Sequence, residues 1–340
     1  MKVTLKDIAE KVNVSISTVS RVLNDGPHGV EDAMHLRILQ VAEDLGYRRV
    51  KKTEQIRKKI SEKQIGLIIN KMKDKYHDPY FSELIYGVER ELLDQGYTLG
   101  FTYDAQDLNN MSVVDEIQAN DYGIICIATT TELLELLSKK VQYIISVGGT
   151  PELDIDYVTV DFEKGARQSV DHLLRLGHKK IAYIGSSSFQ NSVSLEKEQR
   201  FLGYKNALEE QGIALHKEWI ADGQFTIGGG YEAMKQILMA KDRPTALFTA
   251  SDQMALGAYR AIQEAGLTIP GDIAVTSFDD IEMSQFMHPP LTTVKVDKEE
   301  LGRIAVKLFI QRIEGSLPLP MASYLPTKLI VRESCGFSSK

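Results

Sequence analysis

The sequence is poor in residues that staple, anchor or catalyse. Only two of its 340 residues are cysteine, Cys126 and Cys335, far apart and in no CxxC or other metal spacing. Neither a disulfide framework nor a zinc site is expected, and a reducing cytoplasm suits the chain. No apolar run reaches the ~18 residues that a membrane-crossing helix needs. Met1-Lys2-Val3-Thr4-Leu5-Lys6-Asp7 leads straight into a charged amphipathic pattern, without the apolar stretch of a secretory leader. There is no G-x-S-x-G, H-E-x-x-H or P-loop. The seven histidines are scattered, and His172, in a predicted helix, and His178, in the turn after it, read as structural. Catalysis, a metal and a cofactor are therefore not expected.

What is present suits a soluble protein with a real core. Hydrophobic residues make up 43% and charged residues 26%, both ordinary for globular chains, and the length suggests two or three domains. The net charge of −7 argues on average against a nucleic-acid partner, but it is unevenly spread. Residues 1–63 hold 13 basic and 9 acidic side chains, a net of +4; residues 64–340 hold 27 and 38, a net of −11. A basic arm on an acidic body is a pattern that nucleic-acid binders share with many other proteins.

Three helical patterns fill residues 1–46. In the first, about Leu5–Val12, Leu5, Ile8, Ala9 and Val12 share one face, and Thr4 with Asp7 forms a capping-box pair. Asn13, which tolerates a left-handed backbone, ends it. Ser15 caps a second helix, about Ile16–Leu23, with Val19, Val22 and Leu23 inward; a third runs about Glu31–Leu45. Residues 47–63 carry eight basic side chains and few apolar ones, a linker. From residue 64 strand-length apolar runs alternate with amphipathic helices, which predicts parallel sheets covered on both faces. Two such sets fall at about 64–160 and 161–290, with 291–340 shared between them.

Two short helices across a tight turn make a helix-turn-helix, whose second helix enters the DNA major groove with its first residues at base edges. Here these are Ile16, Ser17 and Thr18. One turn on, Arg21 has the fork to bridge two guanine acceptors or grip a phosphate, and Ser20 suits phosphate. A plain three-helix bundle with solvated polar residues would show the same periodicity.

Thr4-Leu5-Lys6-Asp7-Ile8-Ala9-Glu10, Val14-Ser15 and Ser17-Thr18-Val19-Ser20-Arg21-Val22-Leu23-Asn24 resemble the N-terminal signature of the LacI/GalR family. Gly177-His178-Lys179-Lys180-Ile181-Ala182, Arg200-Phe201-Leu202-Gly203-Tyr204, Ser251-Asp252-Gln253-Met254-Ala255-Leu256-Gly257-Ala258 and Pro289-Pro290-Leu291-Thr292-Thr293-Val294 resemble motifs of that family's body. The resemblance implies a homodimeric transcription repressor. Its fold would be an all-α helix-turn-helix head joined to an α/β two-lobed, periplasmic-binding-protein-like core of type I. The expected division is a DNA-binding domain at 1–46, a basic hinge at 47–63, one lobe at 64–160 plus 291–322, and the other at 161–290 plus 323–340. Thr4, Ile16, Ser17, Thr18, Ser20, Arg21 and Asn24 would bind operator double-stranded DNA of pseudo-palindromic sequence. Ile56 stands where the family inserts a leucine into the minor groove, a known kinking device. The linker lacks the usual Pro-Asn after Tyr47, so a flexible basic tether is the alternative.

Ligands of open α/β sheets sit beyond the carboxyl ends of strands. Asp279, after a predicted strand, is the best acceptor candidate and Arg200 the best donor, with a five-N–H fork; the family's sugar-contacting positions match both. By the same matching Phe225 stacks on a sugar ring, Ser251 is a polar contact, and Asp161, Tyr80 and Phe81 line the opposite lobe. Asp252 reads better as a helix cap than as a sugar ligand, and Gly228-Gly229-Gly230 as turn glycines. The short segment 104–121 and the unusual linker resemble repressors of β-galactoside use, which points to a galactoside effector. Two other readings stand: a co-repressor-type regulator with a non-sugar effector, and a cytosolic sugar-binding protein with a vestigial head.

Overall fold

A computed structural model describes residues 4–25, 32–45, 64–70, 78–105, 108, 123–186 and 195–336. The expectation for Ile56 and the hinge at 47–63 lies outside the described residues. The chain divides into two compact units, Met1–Glu62 and Lys63–Lys340, and no helix among the described residues is long and apolar enough to cross a membrane.

The first unit holds α1 (Leu5–Val12), α2 (Ile16–Asp25) and α3 (Asp32–Asp44). Thr4 Oγ1 accepts from the Asp7 amide, and the Asp7 carboxylate accepts from the Thr4 amide at 2.7 Å, so two orphan donors of the helix start are satisfied reciprocally. Asn13, at φ 60° and ψ 46°, ends α1 in the left-handed conformation expected of it. Ile8, Ala9, Val12, Val19, Val22, Ile38 and Ala42 form the core.

The second unit is two six-stranded sheets. The first contains β1 (Gln64–Ile69), β2 (Thr98–Asp104), β3 (Gly123–Ile127), β4 (Ile144–Val147), β5 (Asp156–Val160) and β11 (Ala322–Leu325), in the order β11-β5-β4-β3-β1-β2, every neighbouring pair parallel. The second contains β6 (Ile181–Gly185), β7 (Ile220–Asp222), β8 (Ala246–Thr249), β9 (Ala274–Asp279), β10 (Thr292–Lys295) and β12 (Lys328–Ile330), in the order β12-β10-β9-β8-β6-β7. There β12 alone runs antiparallel, against β10. Central strands such as Gly123–Ile127 and Ile181–Gly185 are buried along their whole length, which is why they read as unbroken apolar runs. Helices α4 (Pro79–Asp94), α5 (Thr131–Ser138) and α10 (Lys298–Ile313) serve the first lobe; α6 (Phe162–Arg175), α7 (Gln199–Glu210), α8 (Ile227–Leu238) and α9 (Asp252–Glu264) serve the second.

The expected lobe boundaries need correcting. Residues 291–297, assigned from sequence to the first lobe, include β10, which hydrogen-bonds to β9 in the second sheet. Residues 323–325, assigned to the second, belong to β11 of the first. The chain therefore passes between sheets after β5, after β10 and after β11. Strands of four residues carry too few side chains to announce their sheet; the partner strand decides it.

Glycines set two close helix contacts. Gly228, Gly229 and Gly230 lie inside the first turn of α8 and not in a turn before it; a Cβ on Gly230 would overlap the Met254 backbone of α9, and one on Gly257 the Ile227 carbonyl of α8. Gly87 of α4 and Gly302 of α10 play the same part in the first lobe, each facing the other helix's backbone. Gly87→Ala would drive a methyl into the Glu299 carbonyl, so thermal or urea unfolding is expected to show a loss of about 1–3 kcal/mol, as for overpacked interiors.

Candidate functional site

In the head the candidate DNA-reading residues cluster at the start of α2. Ser15 Oγ accepts from the Thr18 amide at 3.1 Å and lies 2.7 Å from Ser17 Oγ, which fixes the start of α2. Val19 and Val22 point into the core, while Ile16, Ser17 and Arg21 are exposed and Thr18 and Ser20 half-buried. Thr4 is exposed at the start of α1 with its hydroxyl in the cap. Asn24 is in the last turn of α2; its side chain lies outside the described residues.

In the body, both sheets have the strand order that reverses beside their first strand, and the carboxyl edges at these switch points are where such folds bind ligands. A cleft of about 960 Å³, counting its open mouth, lies there. One wall comes from the start of α4 (Asp78, Tyr80, Phe81, Leu84) and the ends of β3 and β4 (Ile127–Thr129, Val147–Gly149). The other comes from Phe162, Ser186, Glu198–Arg200, Phe225, Ser251, Gln253 and Asp279.

Arg200 is held as a plate within aromatic walls. Its Nε donates to Glu198 Oε1 at 2.8 Å and its Nη1 to the Ala250 carbonyl at 3.0 Å. Its guanidinium carbon sits 4.9 Å from the Phe162 ring, 4.8 Å from Phe225 and 5.7 Å from Phe278. Burial disfavours its charge, but Glu198 and Asp279 outweigh that and hold it firmly protonated. Of the five guanidinium N–H groups, two are used in these bonds; the rest have no partner among the described residues. Glu198 itself caps α7 through the Phe201 amide (3.0 Å) and accepts from Tyr183 Oη (3.0 Å).

Asp279 ends β9 at φ 114°, followed by Asp280 at φ 52°. Among the described residues its buried carboxylate accepts no hydrogen bond, although its carbonyl does. Burial, then the nearby Asp252, push its carboxyl well above the usual carboxylate range, against the pull of Arg200 and Lys298. Tyr80, half-buried beside Asp279, is likewise raised, by desolvation first; its ring meets Phe81 edge-on at 5.4 Å.

Of the effector-site residues expected from sequence, Tyr80, Phe81, Arg200, Phe225, Ser251 and Asp279 line this cleft. Asp161 does not. It is exposed and caps α6 by accepting from the Lys164 amide at 2.9 Å; its neighbour Phe162 takes the place in the wall. The cap of α9 is Ser251, through the Met254 amide, and not Asp252. Asp252 is wholly buried and accepts from the Ile281 amide (2.8 Å) and Thr293 Oγ1 (2.7 Å); burial, ahead of those bonds, pushes its carboxyl up to about 6. Sequence reasoning missed Asp78, Phe162, Glu198 and Gln199. For Glu198 a signal existed, an acid two residues before the forked Arg200.

Comparison with known proteins matches the head and part of the body separately. Residues 4–49 match bacterial regulatory proteins of the lacI family, and residues 170–335 a periplasmic binding protein-like domain. The chain is 36% identical to the HTH-type transcriptional repressor MelR of Bacillus subtilis, over 99% of each chain. It is 32% identical to the ribose operon repressor of Haemophilus influenzae, over 97% of this chain and 98% of that one. Among solved structures it is similar to a complex of the transcriptional regulator CelR with cellobiose (27% identity, TM-score 0.73) and to the lac repressor dimer bound to operator and the anti-inducer ONPF (26% identity, TM-score 0.73). Each of these alignments covers 98% of this chain and 99% of the other.

Asp279 gives a test that needs no ligand. Its folded carboxyl lies above its unfolded value, so ionising it in place weakens the fold. That penalty is present above the folded value and vanishes as pH falls below the unfolded one. Asp279→Asn is therefore expected to melt a few degrees higher than wild type at pH 8 and with no such advantage near pH 3.5, read by thermal unfolding at both. A pH-independent difference would contradict the assignment.

Proposed function

The chain belongs to the bacterial LacI family of regulatory proteins, and on that premise we propose that its body senses a neutral sugar, a galactoside foremost, whose binding in the cleft loosens the head from operator DNA. The chain is a DNA-binding transcription repressor with a small-molecule-binding body. The further reading concerns the effector and the direction of its effect.

One observation carries it. Arg200 and Asp279 face the same aromatic-lined cleft with hydrogen-bonding capacity that the described residues leave unspent. Adjacent sugar hydroxyls both donate and accept, so a polyol can take N–H groups from the guanidinium and give O–H groups to the carboxylate. The rings of Tyr80, Phe162 and Phe225 offer faces to the apolar C–H side of a pyranose. Such a division of apolar walls and few placed polar groups is typical of small-molecule sites. The galactoside class rests on the short 104–121 segment and the linker. The effector acts only through its differential affinity for the DNA-competent and DNA-released states.

Calorimetry with methyl β-galactoside, lactose, cellobiose, ribose and guanine tests the effector. Heat from a galactoside, lost in Asp279→Ala, is the expected result; heat from guanine alone would replace the sugar reading with a co-repressor. In a gel shift with DNA from upstream of its own gene, that galactoside is expected to weaken the complex. Arg21→Ala is expected to weaken the same complex by ~1–3 kcal/mol and relax its sequence preference if Arg21 bridges a base; unchanged affinity and preference would remove Arg21 from that role.

A further inference from the structure

Lys298 lies behind the cleft, outside its lining. It is the first residue of α10, a first-lobe helix, and its side chain is 3% exposed. Its ammonium donates to the carbonyls of Asp279 (2.9 Å), Asp280 (3.2 Å) and Val296 (3.4 Å), all in the second lobe or the crossing from it. It also pairs with Glu83 Oε2 at 3.2 Å, and Glu83 sits on α4, two residues after Phe81. A buried ammonium persists only when paired and hydrogen-bonded, and here the partners come from both lobes.

We propose that Lys298 is a positioning residue that ties the two walls of the cleft together, holding the Asp279–Asp280 turn of one lobe to the aromatic helix start of the other. The turn needs such a hold. Asp279 and Asp280 are consecutive non-glycine residues at positive φ, a conformation side-chain-bearing residues adopt at a cost. Both of their carbonyls point at the one ammonium. The cation thereby fixes where the Asp279 carboxylate stands, and through Glu83 it registers the position of the helix that brings Tyr80 and Phe81. The neighbouring Lys295 is spent on Asp297 at 2.6 Å and does not compete. What Lys298 positions for an effector rests on the cleft reading above; the bridge itself does not.

Hydrogen exchange of the full chain, without added sugar, tests the bridge. In Lys298→Met, peptides covering 279–282 and 79–88 are both expected to exchange at least fivefold faster, with α8 unchanged. Lys298→Arg, which keeps donors for the carbonyls, is expected to stay within twofold at 279–282. Acceleration of one wall alone, or of α10 alone, would overturn the proposal. Should Lys298→Met fail to fold, Glu83→Ala decides it: faster exchange at 79–88 with 279–282 unchanged is expected, and no change at 79–88 would overturn it. A second readout separates positioning from mere packing. The high-pH melting advantage of Asp279→Asn is expected to widen in the Lys298→Met background, where the buried carboxylate has lost a cation, and to stay as it was in Lys298→Arg. An unaltered advantage in Lys298→Met would overturn the proposal. Neither measurement contains an effector, so an empty sugar panel would sink the cleft reading and leave the bridge standing.

Discussion

The carboxyl edges of two parallel sheets, joined by one chain that crosses between them three times, constrain everything else in the body. Parallel pairing directs every strand but β12 the same way within its sheet, so the carboxyl ends of β1, β3, β4, β6, β8 and β9 lie at one edge of each sheet. The crossings leave from β5 and β11, adjacent in one sheet, and from β10, which pairs with β12 in the other. The covalent links are thus bunched at neighbouring strands and leave the rest of the cleft free of them. Ser251 and Asp279 stand where this geometry puts strand ends, and Arg200 arrives from the start of α7.

Within the cleft, charge is kept usable by being only partly satisfied. Arg200 is oriented by Glu198 and the Ala250 carbonyl and flanked by three rings, yet among the described residues it retains donors without an acceptor. Asp279 is pressed by burial and by Asp252 toward neutrality, yet no protein donor claims it among the described residues. Such groups weaken an empty protein and gain from a guest that brings hydroxyls, the usual trade between stability and function. Asp252 shows the contrast: it too is buried, but its oxygens are taken by Ile281 and Thr293, and it organises the loop after β9.

Much of this was legible in the sequence. The head was readable because its signals are local: Thr4 and Asp7 in a cap, Asn13 at the break, Val19 and Val22 at helical spacing. The alternation of apolar runs and amphipathic helices announced parallel sheets, and placing candidates just after strands located Ser251 and Asp279 on the cleft wall, while Arg200 came from its forked donors and the family resemblance. What escaped depends on distant partners. The sheet to which β10 and β11 belong is settled by pairing with β9 and β5 and not by their four-residue strings. Asp161 and Ser251 are both helix caps, and only the fold tells which also faces the cleft. Gly228–Gly230 looked like a turn because nothing local shows that Met254 of another helix needs the room. Lys298, an unremarkable lysine before two glutamates in sequence, becomes a buried bridge only when β9 and α4 converge on it.

The backbone-to-backbone meeting of α4 and α10 at Gly87 and Gly302 carries a mechanical implication. Side chains between helices act as cushions that swap rotamers and absorb small displacements; at these two glycines that upholstery is missing, and carbonyl rests directly against Cα. The two helices must travel as one plank. A displacement of α4 at its Tyr80 end therefore meets the backbone of α10 with little give at these two points.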